Sequence, residues 1–404
     1  MTGADGPLAG VRMVELAHDA VAWAGRLCAD LGAEVIVVEP PGGHASRSYE
    51  PFLDDVPGPD RSLWWWHYNA SKCGVVLDLD SRADIERFGR LVASADVLLE
   101  GEAPGRVRAL LGDVAPERLV HVAVTPFGQD GDYPAVVDLT VLAGAGPVWS
   151  CGYDDHELPP VRGGGNQGWQ TGAHYAVMSA LTALLAREVT GRGQFIDVNI
   201  HASSNVTTEM ASYGYLANGG TVQRQTGRHA SYRPTQATQA PCGDGNWLNT
   251  GVPPRDGKEF RALSQWLEDA GLAEEFPEAP VLALGAEVGH ISQADLAHDE
   301  LLGEIFGAGR DAQFYLAERL TAYEAFIGCQ ERGMAAGAVL SPDDLFEDPH
   351  FVARGWPTQV EHPELGRTFT YGGVPLRFVA SPMRIRSRAP LVGEHTDDVL
   401  GSLD

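Results

Sequence analysis

The residues best suited to do chemistry lie in a glycine-rich stretch, GGGNQGWQ, at positions 163–170. Its first six residues match the spacing GxGxxG, which in a dinucleotide-binding fold follows a strand and opens a helix. The preceding residues LPPVR (158–162) make a poor strand, because proline cannot donate to a ladder. The stretch is better interpreted as a loop that runs into a helix N-terminus. Unpaired backbone N–H groups there would face a ligand or a developing oxyanion.

Other chemistries that leave a motif are not indicated. No GK[ST] follows a glycine cluster, and HExxH, GxSxG and a metal-spaced His/Cys set are absent from the sequence, so no metal is expected. His18, His174 and His229 are isolated, which is more typical of packed or hydrogen-bonded histidines than of catalysts. The run WWW at 64–66 is more typical of a core or an interface than of a cofactor site.

Short apolar runs alternate with helical patterns along the N-terminal half. The strand-like runs are 11–16, 34–39, 74–79, 96–99 and 120–125, and the helical patterns are 22–31 and 82–94. This alternation predicts βαβ units and an α/β fold with a Rossmann-like, doubly wound large domain. A long apolar helix, buried on most sides, is predicted at 172–188. A turn at 191–194 and a strand at 195–200 follow it.

A smaller α+β domain is predicted in the C-terminal half. Residues 235–250 have the pattern of a hairpin that turns at Asp244-Gly245, and 257–330 are mostly helical and acidic. The predicted boundaries are 1–215 and 335–404 for the large domain, 225–330 for the small domain, and 216–224 and 331–334 for the linkers.

The charge balance narrows the possible partners. The 404 residues include 55 acidic and 29 basic ones, a formal net charge of −26. Such a surface repels phosphate backbones and anionic lipid, so neither nucleic acid nor a membrane is an expected partner. The five cysteines are widely spaced without a CxxC pair, which indicates free thiols in a reducing compartment. No signal peptide or bilayer-spanning stretch is indicated, so a cytoplasmic location is predicted.

Several segments together resemble the family III CoA-transferases, the group that includes formyl-CoA transferase and α-methylacyl-CoA racemase. They are ALLAREVTGRGQFIDVNI (183–200), the most specific, with GPLAGVRMVEL (6–16), DLGAEVIVVEPPGG (30–43), NASKCGVVLDLDS (69–81), FGQDGDYPAVVD (127–138), GMAAGAVLSPDDLFEDPHFVARGW (333–356) and LVGEHTDDVL (391–400). The resemblance implies an acyl-CoA-handling enzyme that transfers CoA between carboxylic acids. It also implies a dimer whose subunits interlock.

The resemblance further implies a set of CoA-binding residues. By matching positions these are His18, Asp19, Ala20, Val21, Arg47, Lys72 and Arg108. The first four would lie beside the nucleotide and the cations near phosphates, to which Arg and Lys donate charge-assisted hydrogen bonds. Val37 and the segment 101–103 depart from the residues usual in the family, so CoA contacts there are expected to be weakened or redrawn.

The main departure is at the catalytic position. Family transferases carry a nucleophilic aspartate there, and counting back 22 residues from Gly191 places Trp169 at that position. The aspartate attacks the thioester and passes through a mixed anhydride to an enzyme-bound thioester. An indole has no ionisable nucleophile. Family racemases pair the same aspartate with a histidine, which here is Val137, so two-base chemistry is also disfavoured. Trp169 could instead pack against the acyl or pantetheine group.

Polar side chains near this position remain as candidates. Asp138 is the candidate acid/base, with the alternative that it caps a helix starting at about 139. Gln167 is a second candidate catalytic residue. Together with Asn166 and Gln170, it could also hold a thioester carbonyl or a substrate carboxylate.

Three functions stay open at this point. The first is an acyl-CoA-handling CoA-transferase, expected as a homodimer, that uses altered chemistry. The second is a non-catalytic subunit of a heteromer with an aspartate-bearing paralogue. The third is a CoA-thioester isomerase, lyase or hydratase that uses Asp138 and the nearby amides. In each case the substrate is a CoA thioester, and the sequence does not name the acyl group.

Overall fold

The computed structural model of the chain describes residues 5–112, 115–131, 136–251, 253–296 and 298–403. The chain divides into two compact units. The first comprises Met1–Cys151, Pro160–Gly219 and Phe346–Asp404, and the second comprises Gly152–Pro159 and Gly220–Leu345. The second unit contains the predicted small-domain segment 225–330 together with flanking residues on both sides.

Strands and helices are distributed over both units. The strands are β1 (Arg12–Leu16), β2 (Glu34–Glu39), β3 (Cys73–Val76), β4 (Val97–Glu100), β5 (Val120–Thr125), β6 (Phe195–Asn199), β7 (Gln223–Gln225), β8 (Arg228–Ser231), β9 (Gln239–Pro241), β10 (Trp247–Thr250), β11 (Ala336–Val339), β12 (Pro357–His362) and β13 (Arg367–Gly372). The helices are α1 (Asp19–Asp30), α2 (Leu63–Asn69), α3 (Arg82–Ala93), α4 (Arg106–Leu111), α5 (Asp138–Ala145), α6 (Gln167–Thr190), α7 (Ile200–Asn205), α8 (Glu209–Asn218), α9 (Gly257–Asp269), α10 (Ala279–Leu284), α11 (Gln293–Leu296), α12 (Glu300–Ala317), α13 (Ala322–Glu331), α14 (Pro349–Ala353) and α15 (Thr396–Gly401).

A parallel sheet forms the centre of the first unit. Its strand order is β3-β2-β1-β4-β5-β6, and every neighbouring pair is parallel. The chain order reverses between β1 and β4, which is the topology of a doubly wound fold. The predicted α/β architecture is therefore confirmed. Because helices cover both faces, the strands are apolar almost throughout, as the run EVIVVE of β2 illustrates.

Alternate residues of the strands enter two cores on opposite faces of the sheet. On one face Met13, Val35 and Val97 pack with residues of α1 and α6. On the other face Val14 and Ile36 belong to a cluster that includes residues of α3. This period of two is the expected consequence of the strand pleat. Packing in these two cores holds β1, β2 and β4 in place against the helices of each face.

Helix α6 differs from its prediction. It begins at Gln167, five residues earlier than expected. Only one face of the helix is buried; this face consists mostly of Gly and Ala and packs against α1. Met178, Leu185 and Val189 on this helix are 53%, 72% and 88% exposed. The prediction of a helix buried on most sides is therefore wrong for the single chain, because the apolar composition covers an outward face as well.

The second unit combines a small sheet with helices. Strands β9, β10 and β11 form an antiparallel sheet, and the predicted hairpin with its Asp244-Gly245 turn is present. Gly245 has a φ of +83°, a conformation that glycine adopts readily. Helices α9 to α13 pack around a core that includes Phe260, Trp266 and Phe306. No helix in the described ranges is long and apolar enough to cross a bilayer.

Candidate functional site

A crevice of about 220 Å³ lies in the first unit, at the carboxyl ends of β1 and β2 and beside the segments that follow β3 and β4. In doubly wound folds, ligands bind in this place, where the strand order reverses. Its polar lining residues are His18, Glu39, His44, Asp78, Asp80, Glu102 and Arg106. The crevice is therefore the candidate site for the nucleotide part of a ligand.

The N-terminus of α1 forms one wall of the crevice. His18 caps the helix, because its Nδ1 accepts a hydrogen bond from the Ala20 amide at 3.1 Å. Asp19 accepts a hydrogen bond from the Tyr49 hydroxyl at 3.1 Å, and its other carboxylate oxygen has no partner in the described part of the chain. Burial raises the pKa of Asp19 and raises the pKa of Tyr49 to about 12. Ala20 and Val21 are fully buried, so their side chains belong to the core.

The His18 ring lies against the end of β4 because Gly101 has no side chain that would occupy this space. A Cβ atom built on Gly101 would stand 2.3 Å from His18 Nδ1, far inside van der Waals contact. A side chain at position 101 would therefore displace the imidazole. The departure from the family at 101–103 thus has a structural counterpart, which the sequence alone did not indicate.

The crevice carries more negative than positive charge. Arg106 forms a salt bridge of 2.7 Å with Glu102, and burial lowers the pKa of His44 to about 4, so His44 is neutral at pH 7. Asp78 accepts a hydrogen bond from the Asp80 amide at 3.0 Å. Within the described residues, neither of these two aspartates has a cationic partner. Phosphates are repelled by such a surface. The run LDLD at 77–80 was the sequence signal for this charge.

Lys72 lies inside the first unit and does not line the crevice. Its ammonium donates to the Glu15 carboxylate at 2.8 Å, to the Ala22 carbonyl at 2.9 Å and to Asn69 Oδ1 at 2.9 Å. Both charged side chains are fully buried. Burial lowers the pKa of Lys72 and raises that of Glu15 to about 7. Because its three protons are already bonded, the predicted phosphate contact of Lys72 would require these bonds to be exchanged.

Arg47 is also engaged within the protein. Its guanidinium forms a two-pronged salt bridge with Glu39, at 2.6 and 2.7 Å, and lies 3.8 Å from the ring centre of Trp65. Arg108 lies elsewhere, with its guanidinium over the Phe195 ring at 4.5 Å beside a separate cavity. Of the seven predicted CoA contacts, the structure thus brings only His18 to the wall of the crevice, and Asp19 follows it as the first residue of α1. The CoA-binding roles of Arg47, Lys72 and Arg108 stay predictions.

Asp138 and Trp169 meet at the start of α6. Asp138 Oδ1 accepts hydrogen bonds from the amides of Gly168 at 2.7 Å and Trp169 at 3.0 Å, and Oδ2 forms a salt bridge with Arg162 at 3.2 Å. The carboxylate therefore caps α6. The alternative that Asp138 caps a helix starting at about 139 is wrong, because α5 begins at Asp138 itself and its N-cap is Val137. These two amides are paired, so the expectation that they would face a ligand is wrong for them. Residues 132–135, within the family-like segment 127–138, lie outside the described residues.

The side chains at position 169 and beside it have different surroundings. Trp169 is partly buried and packs against the core of the first unit, and its predicted contact with the acyl or pantetheine group stays a prediction. Gln170 donates to the Tyr68 hydroxyl at 3.1 Å. Gln167 is exposed and Asn166 is partly exposed, without a side-chain capping bond. The substrate contacts predicted for these amides stay predictions.

An aromatic band extends from Asp19, next to the crevice residue His18, to Gln170, next to position 169, a feature that the sequence analysis missed. Tyr49, bonded to Asp19, contacts Trp64 with ring centres 5.3 Å apart. Trp64 contacts Tyr68 at 4.3 Å, and Tyr68 accepts the hydrogen bond from Gln170. The WWW run was the available signal, although Trp65 and Trp66 of that run are buried in the core, as predicted. In the described ranges, no group of His, Cys, Asp and Glu is arranged to hold a metal ion.

Comparison with known proteins identifies similarity along nearly the whole chain. The family description CoA-transferase family III matches residues 8–396. The chain is 31% identical to the succinyl-CoA:(R)-benzylsuccinate CoA-transferase subunit BbsE of Thauera aromatica, over 96% of this chain and 92% of that protein. It is 28% identical to the succinate–glutarate CoA-transferase of Agrobacterium fabrum, over 98% and 96%.

The fold is similar to that of a solved structure. A CAIB/BAIF family protein from Brucella suis superposes with a TM-score of 0.76 at 26% sequence identity. The match covers 99% of this chain and 100% of that chain. The similarity in sequence and in structure therefore extends over both units.

Proposed function

Because this chain belongs to CoA-transferase family III, we propose that it takes part in the transfer of CoA between two carboxylic acids as a subunit that requires a second chain. The second chain is an aspartate-bearing paralogue that supplies the nucleophile. The observation that carries the proposal is the side chain at position 169, an indole that cannot attack a thioester. The substrates are a CoA thioester and a free carboxylic acid.

Asp138 is a poor substitute for the missing nucleophile. It is 5% exposed, and its two oxygens accept hydrogen bonds from two amides and one guanidinium. A carboxylate nucleophile must leave such partners to reach a thioester carbon, and its release would leave the start of α6 uncapped. The geometry therefore supports a structural role for Asp138 within a subunit whose chemistry is completed by another chain.

The exposed apolar residues of the first unit support assembly with a partner. On α6 these include Leu185 and Val189, and on α8 they include Tyr215 at 60% and Leu216 at 84% exposure. Large apolar patches on a soluble chain mark interaction sites. The relative from Thauera aromatica is itself named as a subunit, which fits a heteromer better than a homodimer.

The acyl groups are proposed from the named relatives. Both relatives described above are named for succinyl or succinate substrates. We therefore propose a dicarboxylate, supplied as its CoA thioester, as one substrate of the complex. The nucleotide part would contact His18 at the crevice and approach the neighbouring Asp19, while the aromatic band between Tyr49 and Tyr68 suits the uncharged pantetheine arm.

The test is reconstitution with an aspartate-bearing paralogue from the same genome. Each chain is purified alone and as a co-expressed complex, and transfer from succinyl-CoA to a panel of carboxylic acids is measured. We expect transfer by the complex, loss of transfer when the partner's aspartate is replaced by alanine, and little change with Trp169→Ala in this chain. An intermediate sensitive to hydroxylamine should form on the partner. Transfer by this chain alone, at the rate of the complex, would overturn the proposal.

A further inference from the structure

The second unit contains a cavity of about 680 Å³ whose charge is opposite to that of the chain as a whole. Its lining in the described ranges includes Arg228, His229 and Arg255 and no aspartate or glutamate. Acidic residues outnumber basic ones 55 to 29 in the sequence, so a cavity of this size without a carboxylate in its described lining is a local reversal of charge. Such a cavity attracts anions.

The two arginines of the cavity differ in their pairing. Arg228 forms a salt bridge of 2.9 Å with Asp154 and donates to Gln225, so its charge is largely neutralised. The Arg255 guanidinium has no carboxylate partner in the described residues, although the backbone amide of Arg255 donates to Glu259 at 2.8 Å, and Nε is buried without a hydrogen bond. A buried donor left unpaired costs free energy that a ligand oxygen would recover. Arg255 is therefore the cation of this cavity that is available to a ligand.

The other residues that line the cavity indicate the chemical class of its ligand. Phe306 lies 5.7 Å from the Arg255 guanidinium, and Leu296 adds a second apolar side chain. Gln236 Oε1 is buried without a partner and could accept a hydrogen bond from a hydroxyl group. A guanidinium fork, an apolar wall and a few polar groups suit an organic carboxylate of small size. In the described lining of the cavity, a phosphate dianion would find one unpaired guanidinium.

We propose that this cavity binds the carboxylic acid substrate, with its carboxylate on the Arg255 guanidinium and its carbon chain against Phe306 and Leu296. This inference rests on the proposed function and adds to it the place where the acid is held. Arg255 fixes the orientation of the acid. It also selects for a ligand that keeps one carboxylate free of the reaction, as a dicarboxylate does.

The test measures binding of succinate and of inorganic phosphate to the full chain by calorimetry, for the native protein, Arg255→Gln and Arg233→Gln. Arg233 is exposed, lies over the Tyr232 ring and does not line the cavity, so it is the matched control. We expect Arg255→Gln to weaken succinate binding roughly ten- to hundredfold, the value of a lost charged hydrogen bond, and Arg233→Gln to leave it unchanged. Succinate binding should exceed phosphate binding. Equal affinities of the two arginine variants, or tighter binding of phosphate, would overturn the proposal.

A second pair of variants guards against misfolding. Arg255→Lys keeps the charge without the fork and should retain an intermediate affinity, whereas Gln236→Glu adds a carboxylate to the cavity and should abolish succinate binding. In the reconstituted complex, Arg255→Gln should raise KM for the acid and leave KM for the CoA thioester unchanged. Active complexes with an unaltered KM for the acid would refute the cavity's role alone. Complexes that never transfer CoA would refute the proposed function, while the calorimetry still decides the cavity.

Discussion

The Asp138 carboxylate accepts a hydrogen bond from the backbone amide of Trp169 at 3.0 Å, so an acidic group does reach position 169, but it contacts the main chain there. The other carboxylate oxygen of Asp138, Oδ2, forms a salt bridge with Arg162 at 3.2 Å. A Cβ on Gly168 would stand 2.9 Å from Asp138 Oδ1, so the glycine permits this close approach. Asp138 therefore caps α6. Substitutions at position 138 can distinguish this capping role from acid/base catalysis.

Replacing Asp138 tests the two roles. Asp138→Ala removes the acceptor of two amides and should lower the free energy of unfolding by roughly 1–3 kcal/mol. Asp138→Asn keeps one acceptor oxygen and should cost about half as much. Urea unfolding measures both values. The Asn variant, assembled with its partner, should keep its transfer rate; complete loss of turnover in a stable Asn variant would assign an acid/base role to Asp138.

The buried pair of Lys72 and Glu15 predicts a strong coupling. Lys72→Met should lower the free energy of unfolding by about 3–5 kcal/mol, because Glu15 must then either stay charged without its partner or take up a proton in the core. The double variant with Glu15→Gln should lose less than the sum of the single variants. A double-mutant cycle by denaturation measures the coupling. If Lys72→Met instead folds with native stability and binds CoA weakly, Lys72 serves the ligand and not the core.

The acidic crevice predicts an effect of local charge on CoA affinity. Asp80→Lys reverses an exposed charge that has no cationic partner in the described part of the chain and should strengthen CoA binding roughly three- to tenfold. Glu188→Lys makes the same change in net charge on an exposed turn of α6 and should have little effect. Calorimetry at low and physiological salt distinguishes the two. Equal changes for both variants would mean that net charge, not the crevice, controls the affinity.

The parallel sheet could be predicted because its signals are local. An apolar run such as 34–39 between turn residues suffices for a buried strand, and the structure has β2 at those positions. The start of α6 was missed because Gln167 and Gly168 lack apolar periodicity. Its cap comes from Asp138, which lies 30 positions away in sequence. No local pattern contains such a contact.

The partners of the predicted phosphate-binding cations could not be predicted from the sequence, because these partners also lie far away along the chain. Lys72 pairs with Glu15 across 57 positions, and the choice between a ligand and an internal partner depends on the packed fold. A signal existed nevertheless, since Glu15 interrupts β1 and Glu39 ends β2, and the residues beside them in both strands are apolar. A buried acidic residue needs a cation or a proton, so each of these residues indicates an internal ion pair.

The lowered pKa of His44 predicts that the free energy of unfolding decreases in acid. Burial lowers its pKa from 6.5 to about 4, so the unfolded chain binds the proton more readily than the folded chain does. The stability from neutral His44 is present above pH 6.5 and declines as the pH falls toward 4. His44→Asn keeps a capping side chain without this titration. Between pH 7 and 5 its free energy of unfolding should fall by about 1–2 kcal/mol less than that of the native chain. The exposed His350→Asn variant should behave like the native chain, and an unchanged pH dependence in His44→Asn would contradict the assignment.

The exposed apolar residues of α6 and α8 lead to a prediction about the assembly state. Leu185 and Leu216 are 72% and 84% exposed, so aspartate at either position costs the single chain little, because surface substitutions usually change stability by less than about 0.5 kcal/mol. In an interface, the same carboxylates would be desolvated without a partner and would oppose association. Leu185→Asp with Leu216→Asp should therefore abolish complex formation in analytical ultracentrifugation while the melting temperature of the isolated chain is kept. Glu188→Gln, on an exposed position of the same helix, is the control. Complexes of native size in the double aspartate variant would place the partner elsewhere, because two buried carboxylates could not be tolerated at this face.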